Sequence, residues 1–170
     1  LFRSVRCMAD ASGRDLGQFM RWYEQAGTPA LKVSRSYDPA RQALTLEISQ
    51  STPATPGQPD KQPFHIPIRL GLLGPDGTAQ PLQLEGENEP KGTDRVIELK
   101  EATQSFTFLG LPAEPVPSLL RGFSAPVKLD AGYDDAELRH VIAHDSDPVT
   151  RWDAGQRLAV DALLAAVLLQ

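Results

Sequence analysis

ISQSTPATPGQPDKQPFHIPIRL, residues 48–70, is the stretch that decides the fold. An apolar/polar alternation enters it, with Leu44, Leu46 and Ile48 set against Thr45, Glu47 and Ser49. It stops at a polar loop containing Pro53, Pro56 and Pro59, then resumes at Ile66, Ile68 and Leu70. A period of two places one set of side chains on a buried face and the other in solvent, which is a half-buried strand. The stretch therefore reads as strand, stiff ordered loop, strand. The three prolines lower the entropy lost on ordering that loop, which suits a segment packed on a neighbouring element. Thr52 to Lys61 is expected to lie against the helix predicted at 15–26 or on the surface where a neighbouring domain would sit. Pro67 cannot donate to a ladder and favours an edge or bulged position.

Upstream, Leu31, Val33, Arg35 and Tyr37 share one face of a strand, and Asp38-Pro39-Ala40-Arg41 turns it back. Before it the period is helical. Phe2, Val5 and Met8 form one face, Ala11-Ser12-Gly13 breaks it, and Asp15 is placed to cap a second helix. Leu16, Phe19, Met20 and Tyr23 make that helix's stripe, with Gly27 and Pro29 as its stop.

Downstream, Gly74-Pro75-Asp76-Gly77 predicts a tight turn closing a hairpin onto Leu82 and Leu84. Residues 85–95 read as a surface loop. Strands follow around Ile97 and Leu99, Phe106 and Phe108, then Val127, Leu129 and Ala131. About seven short strands with frequent turns predict a mainly β chain: an antiparallel β-sandwich, Ig-like but without the Cys…Trp…Cys spacing, flanked by α-helices at both termini. Asp134 with Glu137 predicts a capping box for a helix burying Leu138, Val141 and Ile142. Asp147 followed by Pro148 opens another, with Val149, Trp152, Leu158, Leu163 and Val167 near one face.

With 170 residues, 41% hydrophobic and 23% charged, the chain has the length and composition of a globular protein with a real core. A net charge of -5 without a basic stripe argues against nucleic acid or an anionic membrane as partner. Cys7 is the only cysteine, which excludes an internal disulfide; it reads as a packed residue and fits a reducing, cytoplasmic compartment. No secretory signal opens the sequence, and the apolar run Ala162 to Leu169 is too short to span a bilayer. Both ends read as cut from a longer polypeptide.

Candidate chemistry is thin. His140 and His144, four apart on a predicted helix, have the spacing of two zinc ligands, but Val141 stands where a zinc peptidase places its general-base Glu. Gly122-Phe123-Ser124-Ala125-Pro126 opens like a nucleophile elbow, yet Pro126 replaces the closing Gly and Ser124 precedes a strand. Glu85, Glu87 and Glu89 lack the ligand spacing of a calcium loop. Trp22-Tyr23 and Arg151-Trp152-Asp153 read as packing or domain-contact residues. No catalytic, cofactor-binding or metal-binding residue is assigned.

Several segments, in order, carry a resemblance. They are Arg21-Trp22-Tyr23 with Gln25 and Gly27-Thr28-Pro29, then Thr45-Leu46 and Ile48-Ser49-Gln50, then Thr52-Pro53-Ala54-Thr55-Pro56. Lys61-Gln62-Pro63, His65-Ile66-Pro67, Pro115-Val116-Pro117, Phe123 through Leu129 and Arg151-Trp152-Asp153-Ala154 continue the series. Together they resemble the bacterial aminopeptidase N family of gluzincin zinc aminopeptidases. The resemblance implies three parts: residues 1–28 as the last helices of a catalytic domain, 29–131 as a β-sandwich domain, and 132–170 as the first helices of a C-terminal helical domain.

It further implies a parent enzyme that uses zinc to release N-terminal residues from peptides, with the flanking domains as intramolecular partners. The family's His-Glu-x-x-His and Gly-Ala-Met-Glu-Asn motifs are missing from these 170 residues. The expected role is therefore that of a structural, interdomain module holding no cofactor of its own. The alternative is a stand-alone β-sandwich module binding peptide or carbohydrate, which would need an exposed aromatic platform or an open sheet edge.

Overall fold

A computed structural model describes residues 2–168; Leu1, Leu169, Gln170 and the side chain of Phe2 lie outside the described residues, and with them the Phe2 and Leu169 expectations. The alternating middle of the chain forms a sandwich. Strand β1 (Ala30–Asp38) turns through Asp38, whose carboxylate accepts from the N–H groups of Ala40 and Arg41, into antiparallel β2 (Ala43–Ser51). Beyond the proline-rich loop come β3 (Ile66–Leu73), β4 (Gln83–Leu84), β5 (Arg95–Leu99), β6 (Thr103–Leu109), β7 (Val116–Leu119) and β8 (Lys128–Asp130). One sheet has the order β4-β6-β2-β1-β8 and the other β5-β3-β7.

The period-two pattern explains the core. Leu44, Leu46 and Ile48 of β2 and Ile66, Ile68, Leu70 and Leu72 of β3 are essentially fully buried, meeting Phe64, Leu82, Phe108 and Leu111 in one cluster. Each such side chain contributes about 1.5–3 kcal/mol on leaving water. This interface between the sheets supplies most of what holds the domain together.

The structure refines the sequence reading at several points. The described residues form eight strands, and β8 runs parallel to β1 while the other pairings are antiparallel. Strand β7 escapes the alternation because it is four residues long and contains Pro117. The Gly74–Gly77 turn closes only a bridge between Leu73 and Ala79; the chain then crosses to the other sheet, where Leu84 pairs with Phe108. Pro67 sits in the central strand of its sheet, but β7 pairs with β3 only from Leu70 onward, so at Pro67 the strand has a single partner.

At the N-terminus α1 (Phe2–Ser12) ends before Gly13, and the second predicted helix is short: a 3-10 turn at Gln18–Met20 running into α2 (Arg21–Glu24). Asp15 does not cap it, since its carboxylate closes a local turn onto the N–H of Gly17. Cys7 and Met8, expected to pack, are exposed, while Val5 of α1 is buried.

At the C-terminus α3 (Asp135–His144) has the predicted capping box between Asp134 and Glu137. Helix α4 (Pro148–Leu168) is capped by Asp147, which accepts from the N–H of Thr150 at 2.9 Å. Its inward face is Thr150, Ala154 and Leu158, four apart. Val149, Trp152, Leu163 and Val167 point the other way and are exposed. A long helix with two apolar stripes gives no local signal of which one meets the core.

Candidate functional site

The sequence candidates do not assemble into a catalytic centre. The His140 and His144 rings lie 4.7 Å apart, but Nε2 of His140 donates to the Gly74 carbonyl at 2.8 Å and His144 packs over Gly77. Among the described residues no three His, Cys, Asp or Glu side chains gather as a metal ion requires. The donor set does not fit zinc. Ser124 accepts the N–H of Arg69 through its hydroxyl at 3.0 Å, satisfying a β3 backbone group that β7 does not reach.

Glu85 pairs with Arg41 and Glu87 with Arg95 and Lys91, so that acidic run does not converge on one point. The Arg95 guanidinium, with Lys91 and the Leu84 N–H, holds the Glu87 carboxyl well below the usual carboxylate range. Trp22 packs on Phe64 and donates from its indole to the His65 carbonyl at 2.8 Å, while Tyr23 is half-exposed. Arg151 donates to the Ile142 carbonyl, holding α4 to the end of α3.

What the fold does assemble is a buried polar joint between sandwich and helices. Arg121 follows β7, and its side chain is 3% exposed against 0% for its partner Asp145, the residue after α3. Its guanidinium donates to Asp145 Oδ1 at 3.0 Å, to Ser118 Oγ at 2.8 Å and to Asp94 Oδ2 at 3.2 Å. The Ser118 hydroxyl donates to the second oxygen of Asp145. Asp145 also accepts the Asp147 N–H, and Asp147 accepts the N–H of Gly122. β7, the 121–123 turn and the α3–α4 turn thus close a ring of hydrogen bonds.

A second contact lies at the other end of α3. Arg35 of β1 forms a bidentate pair with Glu137 at 2.6 and 2.9 Å, bonds the Gly132 carbonyl and lies 5.5 Å over the Tyr133 ring. Burial pushes the Tyr133 phenol far above its ordinary range, so it stays protonated and donates to the Pro117 carbonyl at 2.7 Å.

The N-terminal helices have their own joint, where the proline-rich loop packs as expected. Gln58 accepts from the Ala26 N–H and donates to the Glu24 carbonyl, both at 2.8 Å. Lys61 donates to the Ala26 carbonyl, and Gln25 and Gln62 exchange two bonds. Arg121, Ser118 and Asp145 were not marked by sequence, and Gln58 and Gln62 only as members of the proline-rich loop and of the Lys61-Gln62-Pro63 segment. The only signals were the Ser118-x-x-Arg121 spacing and two aspartates around a predicted helix start.

Outside the joints, Val149, Trp152, Val160, Leu163 and Val167 leave an apolar stripe along α4. With Phe123, 65% exposed, Trp152 and Val149 border a narrow cleft between the 120–123 turn and the helix. These groups are exposed apolar and aromatic side chains, with no nucleophile or base among them.

A family described as a domain of unknown function (DUF3458) with an Ig-like fold matches residues 27–132, and one described as DUF3458_C, ARM repeats, matches residues 135–170. Aminopeptidase N of Escherichia coli is 44% identical over 91% of this chain, which covers 17% of that protein. Aminopeptidase N of Haemophilus influenzae is 41% identical over 94% of the chain and 18% of its own length. The chain thus spans less than a fifth of these relatives. The crystal structure of Legionella pneumophila aminopeptidase A in complex with aspartic acid superposes with a TM-score of 0.75 at 27% identity, covering 95% of this chain and 17% of that one.

Proposed function

The chain belongs to the DUF3458 Ig-like family, in the form carried by bacterial aminopeptidase N, and from that premise we propose that it serves as the interdomain module of a larger aminopeptidase. The observation that carries this reading is structural. Helices at both ends are bonded to the sandwich through specific polar contacts, while α4 turns a long apolar stripe outward. An exposed stripe of this kind is a docking face, and in an ARM-repeat arrangement the next helix pair covers it.

In this proposal residues 1–28 belong to the end of a catalytic domain, 29–131 to the bracing sandwich and 132–170 to the start of a helical domain. The parent enzyme would work in the cytoplasm, using a zinc ion held by residues outside this chain to release N-terminal amino acids from peptides. No helix among the described residues is long and apolar enough to cross a membrane. The stand-alone binding module has less support, because Phe123 and Trp152 border a cleft continuous with the α4 stripe and do not form a platform on a sheet.

The test is direct. The purified chain, assayed on aminoacyl chromogenic substrates with and without added zinc, is expected to show no turnover. Metal-dependent hydrolysis by the chain alone would overturn the proposal.

A further inference from the structure

The two family models meet between residues 132 and 135, where a domain boundary and a hinge would ordinarily be drawn. We infer that no hinge lies there: the sandwich and the helix pair α3–α4 are one cooperative unit, interlocked by the buried guanidinium of Arg121. This interlock is independent of what the longer protein catalyses.

Three contacts cross the boundary together. The first is the Arg121 ring, whose charged members Arg121 and Asp145 are both removed from water. Parting the helices from the sandwich leaves each charge either unpaired in an apolar setting or needing full rehydration, so partial opening gains nothing. The second is the Arg35–Glu137 pair, in which one carboxylate bonds a sandwich arginine and also receives the Asp134 N–H at the start of α3. A break there loosens the helix cap as well. The third is apolar: Leu73 at the end of β3 is buried in the same cluster as Leu138, Val141 and Ala154, with Val116 of β7 packed against it. These sites pin both ends and the middle of α3.

The backbone agrees with this reading. Leu120 and Phe123 have φ of 59° and 54°, and Gly122 between them has 61°. Left-handed Leu and Phe each cost free energy and persist only where the surroundings over-determine the path. Here the path is fixed from both sides, by Arg121 reaching into the joint and by Asp147 holding the Gly122 N–H.

Hydrogen exchange on the 170-residue chain tests the interlock. In the native protein, amides of α3 and of α4 from Thr150 to Leu158 are expected to match β2 and β3 in protection. In Arg121→Met, which keeps the bulk and loses the charge and fork, helix protection is expected to fall roughly 100-fold while β2 and its neighbours hold. Helices that exchange much faster than β2 and β3 in the native chain would overturn the single unit. An equal loss everywhere in the variant would overturn Arg121 as its interlock. Should Arg121→Met fail to fold, Asp145→Asn, which preserves the side-chain shape, is read against the same two outcomes.

Discussion

Gly71 shows how one absent side chain positions a charge. A Cβ built there would stand 2.2 Å from Cζ of Arg121 and 2.3 Å from Nη1, so the guanidinium lies flat on the β3 backbone. Glycine inside a strand usually weakens it, and here the close approach is the reason for its presence. Its φ lies outside the left-handed region, so the requirement is space. Gly71→Ala is expected to cost about 1–3 kcal/mol by overpacking, read as a lowered urea midpoint. In an Arg121→Met background, where the side chain is flexible, the same change is expected to cost much less. Equal costs in the two backgrounds would show that the guanidinium is not what Gly71 accommodates. Sequence reading passed over this pair, because Ile66 to Leu72 reads as plain alternation and nothing local links Gly71 to a residue fifty positions away.

At the level of elements, the best-read features were those specified by neighbours in sequence. The capping box of Asp134 and Glu137, the Asp147 cap and the β1–β2 turn at Asp38 depend on bonds spanning two or three residues. The inward stripe of α4, the parallel placement of β8 and the crossing of Leu84 to the other sheet depend on distant partners, and those were missed. The proline-rich loop lies between these cases. Its stiffness was legible, and so was its packing on the N-terminal helical segment, but the means of attachment was not. Gln58 and Lys61 accomplish it by bonding the carbonyls of Glu24, the last residue of α2, and of Ala26 just past it, where a helix end leaves acceptors without intrahelical donors. Gln58→Ala removes three bonds, to the Glu24 carbonyl, from the Ala26 N–H and from Lys61, and is expected to destabilise the attachment by about 1–2 kcal/mol. Limited proteolysis would detect faster cleavage within residues 18–28, with the sandwich's thermal midpoint nearly unchanged. Unchanged cleavage would mean that Trp22 packing on Phe64 holds the segment without the loop.

Across the whole molecule, carboxylates tie the layers together, and this sets the response to acid. Glu98 is lowered from its ordinary range chiefly by its bond with Lys100, and Glu87 chiefly by Arg95. For Asp147 burial acts in the opposite direction, but it is outweighed by the N–H and hydroxyl of Thr150 and the N–H of Gly122. A carboxyl whose folded pKa lies below its unfolded value of about 4 binds fewer protons when folded, so its stabilisation is complete above that pH and lost as the pH falls through the folded pKa. The urea midpoint is therefore expected to be flat between pH 8 and about 5 and to fall below about 4. Asp147 allows the effect to be located. Its carboxylate caps α4 and holds the 121–123 turn, so Asp147→Asn, which keeps one acceptor oxygen and loses the charge, should lower stability at pH 7. At pH 3, below the unfolded carboxyl value of about 4, part of the stabilisation carried by the lowered Asp147 carboxyl is lost, and the gap between the two proteins should narrow. Paired urea titrations of both chains at pH 7 and pH 3 measure that gap. A gap of the same size at both values would place the acid sensitivity in the Glu87 and Glu98 pairs of the sandwich and leave the α3–α4 turn indifferent to pH.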